Sequence, residues 1–170
     1  MKKRTSKEIL SENFVQMMES RPFDSISVSA LIEKCGISRA TFYRCFRDKY
    51  DILDYIFDRE LSDSFFFDYA KPMHIRERAV LDELDKKKSF YVHAFDVASF
   101  RRHWMSCSYK ANLGYIRQHY PNADNLDFTA RALAAVFVQI NESYIRGELK
   151  ESPERIGTQF ENLLKDLLGE

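Results

Sequence analysis

Residues 28–46 read VSALIEKCGISRATFYRCF, and the spacing of apolar residues in this run decides how the rest of the chain is read. Val28, Leu31, Ile32 and Cys35 fall at i, i+3, i+4 and i+7, one apolar helical stripe, and Gly36 follows where a left-handed C-terminal residue is expected. Ser38 then has the position of an N-cap for a second helix. In that helix Phe42 and Phe46 share one face, and Ala40, Tyr43, Arg44 and Arg47 share the other. The pattern predicts an apolar side packed inward and a basic, aromatic, small-residue side turned out.

Two short helices across such a turn make a helix-turn-helix, whose second helix enters the major groove of DNA with its early residues at base edges. By spacing alone an ordinary helical hairpin fits equally well. The flanking residues separate the two. The run FDSISVSALIEKCGISRATFYRCFRDKYDIL closely resembles the N-terminal domain of TetR-type transcriptional regulators. The resemblance is carried by Phe23, Ser27, Leu31, Ile32, Gly36-Ile37-Ser38, Thr41-Phe42-Tyr43, Phe46, Lys49 and Leu53. Ala40 stands where glycine or proline is common in the family, and Cys45 where histidine is common.

The expected DNA-facing residues are Ser27, Ser38, Arg39, Ala40, Thr41, Tyr43, Arg44 and Lys49. Ser27 is placed to cap the first helix of the motif and to offer its hydroxyl and backbone N–H to a phosphate. Arg39 and Arg44 have the fork geometry that bonds guanine O6 and N7, and Ala40 is small enough to approach a base or a thymine methyl. That Thr41 and Tyr43 engage the DNA backbone, and that Lys49 holds a phosphate, is what the resemblance implies. Phe42 and Phe46 are read as core.

Charge is distributed in the same sense. The chain has no net charge, but residues 1–50 carry ten Lys and Arg against six Asp and Glu, while residues 51–170 carry sixteen against twenty. A basic head on an acidic body suits phosphate binding at one end. Lys2, Lys3, Arg4 and Lys7 form a basic arm leading into the first helix, where Thr5 and Glu8 have the spacing of a capping box. Leu10, Phe14, Met17 and Met18 make that helix's apolar stripe, and Pro22 forbids its continuation.

The organisation predicted is all-α: a three-helix DNA-binding head over residues 1–50 and a helical body over 51–170. A long helix is expected from Asp48, with Leu53, Ile56, Phe57 and Leu61 on one face, ending in the aromatic cluster Phe65-Phe66-Phe67-Tyr69. Further helices are expected over Ile75 to Lys87, with Lys86-Lys87-Lys88 at its exposed end, within Ser89 to Phe100, and along Met105 to Tyr120. The run Leu126 to Tyr144 is apolar on two sides: Phe128, Ala132, Ala135, Val136 and Ile140 on one, Leu133, Phe137 and Tyr144 on the other. Ser152-Pro153-Glu154 opens a last helix bearing Ile156, Phe160, Leu163, Leu164, Leu167 and Leu168.

The resemblance implies that these last two helices build a four-helix interface between two copies, here expected through Leu133, Phe137, Tyr144, Phe160 and Leu164. It also implies a homodimer on palindromic double-stranded operator DNA, usually a repressor, controlled by a small molecule in the body. Trp104, Tyr109, Tyr115, Phe137 and Asn141, with His93 and His103, are the residues that could line such a pocket. The body is short for the family and resembles the branch containing activators of dihydroxyacetone-kinase operons, some of which answer to a regulatory protein.

Other classes find little support. The chain has no G-x-x-x-x-G-K-[ST], H-E-x-x-H or G-x-S-x-G, so neither an enzyme nor a cofactor is expected. Cys35, Cys45 and Cys107 show no C-x-x-C or Cys/His ligand spacing and are read as reduced thiols without metal. No signal peptide or membrane-spanning run is evident, which points to the cytoplasm. The rival to a DNA-binding regulator is an adaptor that uses the same fold to bind protein alone.

Overall fold

A computed structural model describes residues 4–61 and 68–169. Among these residues the chain forms α-helices and no strand. Helix α1 (Ser6–Ser20) begins at the capping box expected from the sequence, with Thr5 Oγ1 accepting from the Glu8 N–H and the Glu8 carboxylate accepting from the Thr5 N–H. A short 3-10 turn (Phe23–Ser25) leads to α2 (Val28–Cys35) and α3 (Arg39–Cys45), and α4 (Lys49–Phe57) packs on α1. Leu10, Phe14, Leu31 and Phe42 are fully buried at the centre of this group, with Phe46 beside them.

From Asp48 the helix is less regular than the sequence suggests. Residues 58–61 form a π-type turn, and the Phe65-Phe66-Phe67 part of the aromatic cluster lies outside the described residues.

The body contains α5 (Met73–Lys86), α6 (Lys88–Phe95), α7 (Ala98–His119), α8 (Leu126–Arg146) and α9 (Pro153–Leu168). Helix α7 packs along α8, and α5 along α9. The second contact is close because Gly157 faces the backbone of α5: a Cβ there would sit 2.5 Å from the His74 carbonyl oxygen. Helix α7 starts well before Met105. Phe100, Trp104, Cys107 and Ala111 form its buried stripe, which the intervening Arg101, Arg102 and His103 obscure in the sequence. The three lysines at 86–88 are a junction between helices rather than one exposed end, since Lys87 breaks the helix at φ −134°, ψ 42° and its ammonium bonds the Glu60 carboxylate.

Trp104 anchors the middle of the molecule. Its ring lies 5.0 Å from Phe95, 5.1 Å from Phe57 and 5.6 Å from Phe100, centroid to centroid. Because Phe57 comes from α4 and the other two from α6 and α7, this aromatic cluster fastens α4 to α6 and α7. Helix α1 rests on α6 at the same junction, where His93 Nδ1 bonds the Met18 carbonyl.

Candidate nucleic-acid interface

The turn between α2 and α3 is built from local hydrogen bonds. Ser27 Oγ accepts from the Ala30 N–H at 3.1 Å and starts α2. Gly36 ends it in the left-handed conformation, φ 64°, ψ 32°, and the Ile37 N–H reaches back to the Ile32 carbonyl at 3.2 Å. Ser38 Oγ then accepts from the Thr41 N–H at 3.1 Å, and the two hydroxyl groups lie 3.0 Å apart. One helix therefore stops and the next begins within three residues, and a substituent on Gly36 would strain that reversal.

Helix α3 presents the side that the sequence marks. Phe42 is fully buried, while Arg39, Ala40, Tyr43 and Arg44 are exposed, Tyr43 by 51 %. The Arg39 guanidinium lies 5.8 Å from the Tyr43 ring centroid, so the two form one cationic and aromatic surface. Thr41 is half-buried beside Ser38. Ser27 and Ser38 are both exposed at helix starts.

Lys49 has an additional structural task. Its ammonium donates to the carbonyl oxygens of Phe23 at 2.9 Å and Ile26 at 3.2 Å and lies 4.1 Å from the Phe23 ring. It holds the segment that leads into Ser27. In the basic arm, Arg4 pairs with Glu12 at 3.0 Å and Lys7 sits over the rings of Phe46 and Tyr55, so both are directed at the protein. Lys2 and Lys3 lie outside the described residues.

The structure does not bring together the five residues expected at a ligand pocket. Trp104 is fully buried in the aromatic cluster. Tyr109 is on the surface, donating to Asp127 at 2.6 Å. Tyr115 stacks on His119 at 4.3 Å, and Phe137 meets Phe160 at 5.4 Å. Asn141 is buried and donates to Glu77 at 3.2 Å and to the Phe137 carbonyl at 2.8 Å. Tyr109 borders an open cleft of about 580 Å³, with Arg102, Met105 and Arg131.

The residues expected at a dimer interface are mostly covered within the protomer. Leu133, Phe137, Phe160 and Leu164 lie in the protomer's own core, and the half-buried Tyr144 donates to Asp85 at 2.6 Å. Of the two apolar stripes on α8, neighbouring helices cover the one carrying Leu133 and Phe137. The other remains open: Phe128 is 71 % exposed and Val136 38 %, with Ala132 and Ile140 half-buried between and beyond them. Val136 and Ile140 border a shallow cleft of about 190 Å³ shared with Ile156, Phe160 and Leu163 on α9.

Two clusters in the body are not apparent from linear spacing read as helix faces. Glu77 on α5 is fully buried against Asn141 on α8, and burial drives its carboxyl well above the usual carboxylate range, against the opposing pull of the Asn141 hydrogen bond and Arg76. At the α4–α7 junction, His103 Nε2 lies 2.8 Å from Asp58 Oδ1 and 3.8 Å from Cys107 Sγ. Hydrogen bonding to Cys107 and Asp58 raises the His103 imidazole to about 9, overcoming its partial burial. The sequence does carry a signal for the second cluster, because Asp54 and Asp58, and His103 and Cys107, are both i, i+4 pairs.

An outward cationic helix on a capped helix-turn-helix, carried by an all-α body, is the build of a bacterial transcriptional regulator. Residues 15–56 match the family described as bacterial regulatory proteins, tetR family. Over this stretch the chain is similar to TetR-type transcriptional regulators, and the relatives that follow extend the likeness over nearly its whole length. It is 24 % identical over 172 residues to the HTH-type dhaKLM operon transcriptional activator DhaS of Lactococcus lactis subsp. lactis (strain IL1403), covering 94 % of this chain and 88 % of that one. A solved structure of a dihydroxyacetone kinase operon activator DhaS superposes with a TM-score of 0.71 at 25 % identity, covering 96 % of each chain. A transcriptional regulator described as of the TerR/AcrR family, from Aquifex aeolicus VF5, shares the fold at a TM-score of 0.65 and 16 % identity, over 96 % of this chain and 99 % of that one. Among the described residues no helix is long and apolar enough to cross a membrane.

Proposed function

We propose that this regulator binds a roughly palindromic operator as a homodimer, reading bases through Arg39, Ala40, Tyr43 and Arg44 of α3 and holding phosphates through Ser27, Ser38, Thr41 and Lys49. The observation that carries this reading is the outward side of α3: its four reading residues are exposed while Phe42 on the opposite side is fully buried. Lys49 reaches a phosphate only beside the carbonyl oxygens it already bonds, so its contribution is to place Ser27 at the backbone as much as to add charge. The second copy docks on the open stripe of α8 at Phe128, Ala132, Val136 and Ile140, extended by Leu163 and Leu167 of α9. Two heads then reach successive major grooves roughly 34–36 Å apart, one turn of DNA. Control acts through the body, by a small molecule or a regulatory protein bound there, and likeness to the DhaS proteins supports an activator rather than a repressor.

The test is a gel-shift titration on the DNA flanking the gene at several salt concentrations. A sequence-specific complex of two protomers per site, with affinity falling steeply as salt rises, is expected. Retardation indifferent to sequence, or none, would leave the adaptor reading in its place.

A further inference from the structure

The junction between head and body holds a group of side chains that DNA binding does not use. Helix α4 contributes Asp54 and the π-type turn that follows it contributes Asp58, while α7 contributes His103 and Cys107, each pair one turn apart on the side turned to the other. One ligand atom each from Asp58, His103 and Cys107 lies within 4.8 Å of the other two. A tetrahedral zinc ion needs such atoms about 3.3–3.7 Å apart, given bonds of about 2.0–2.3 Å. The observed 2.8 Å and 3.8 Å from His103 Nε2 to Asp58 and Cys107 bracket that spacing.

The fourth residue supplies an independent sign. With Nε2 turned to Asp58 and Cys107, the ring's other nitrogen, Nδ1, faces Asp54 Oδ1 at 4.0 Å. That oxygen is buried and accepts no hydrogen bond among the described residues. A carboxylate behind the far nitrogen of a histidine is the arrangement that fixes the ring of a metal-ligating imidazole. The Phe57 ring, edge-on to His103 at 5.2 Å between centroids, bounds the site on its apolar side. Asp58 lies half-exposed in the π-type turn, leaving a fourth position open to water.

We propose that Asp58, His103 and Cys107 bind one divalent d-block cation, zinc being the best match to this donor set, with Asp54 orienting His103 from behind. Thiolate and imidazole suit zinc or cobalt far better than magnesium or calcium, which take all-oxygen sites. Binding releases the thiol proton, and the imidazole proton where it is present, to solvent. Because two ligands come from α7 and one from the turn that ends α4, the ion ties α4 to α7. Its occupancy thereby becomes an input to operator affinity. That consequence rests on the DNA-binding reading above, whereas metal binding itself is measured without DNA.

The experiment uses the full chain, stripped with a chelator and titrated with Co²⁺ under reducing conditions. One equivalent per chain is expected to bring up a thiolate-to-cobalt charge-transfer band in the near ultraviolet, which excess Zn²⁺ removes. Cys107→Ser abolishes the band, while Cys35→Ser with Cys45→Ser leaves it. Asp54→Asn lowers zinc affinity about 10- to 100-fold with the band retained. His103→Gln and the half-exposed Asp58→Asn each weaken binding, so the outcome does not depend on one variant folding. No band in the wild-type chain, a band surviving Cys107→Ser, or zinc affinity unmoved by both His103→Gln and Asp58→Asn would show the cluster to be a bare histidine–aspartate ion pair.

Discussion

Helices α3 and α8 each bury one side in their own protomer and turn another to water, and the two outward sides differ in kind. On α3 the exposed residues are Arg39, Ala40, Tyr43 and Arg44, a cationic surface with one aromatic ring and one small residue. On α8 the apolar stripe exposes Phe128, Ala135 and Val136, flanked by the half-buried Ala132 and Ile140, beside the exposed Asp127, Arg131 and Gln139 of the same helix. A cationic face gains by meeting phosphates, since counterions leave the nucleic acid as it binds. An apolar face gains only by leaving water. The same molecule thus carries a cationic surface on α3 and an apolar one on α8, the two that the proposed function assigns to DNA and to a second copy.

The sharpest division to test is between the two sides of the recognition unit. Phe46→Ala removes a ring that is 2 % exposed and is expected to lower stability by roughly 3 to 5 kcal/mol in denaturant unfolding. Tyr43→Ala, on the open side, should leave the unfolding midpoint nearly unchanged while weakening operator binding. Equal losses of stability in the two variants would contradict the assignment of sides. Next in size, Val136→Asp places a charge in the open stripe of α8. Sedimentation should show it as a monomer, and losing the linked second head should reduce operator affinity on the order of 100-fold or more. A dimer that persists in this variant would move the interface elsewhere.

A smaller effect concerns the buried polar pair behind α8. The folded-state pKa of Glu77 is raised, so the native chain holds this proton to higher pH than the unfolded chain does. The stability associated with it is fully present below the ordinary glutamate value near 4.5 and is lost as pH rises from there through the raised folded value. Glu77→Gln keeps an oxygen for the Asn141 amide and removes the titration. Its melting temperature relative to wild type is therefore expected to climb as pH is raised from about 5 to 8. A difference independent of pH would mean that Glu77 does not titrate over that interval.

How much is readable from residues alone follows the range of the forces involved. Capping serines, a left-handed glycine and the alternation of Phe42 with Tyr43 act over three or four positions, so the recognition unit and its outward side are legible in the linear order of residues. Lys49 shows the limit. Its match to the family points at a phosphate, but its bonds to Phe23 and Ile26 join segments more than twenty residues apart, which periodicity does not register.

In the body the same reasoning finds the helices and leaves open which stripe of α8 the protomer covers. Both stripes of α8 are apolar, so hydrophobic spacing cannot say which is covered within the protomer. That choice is made by where α7 and α9 lie, and it buries Leu133 and Phe137 while leaving Phe128 and Val136 open.

The amino-acid sequence by itself determined the all-α character, the helix-turn-helix and the residues facing outward from it, because local hydrogen bonds and helical periodicity specify them. Only the tertiary structure decided which face of α8 is free, that Trp104 is packed core, and that Asp58 meets His103 and Cys107. Each of these depends on contacts between helices distant in the chain, whose partners no local pattern names.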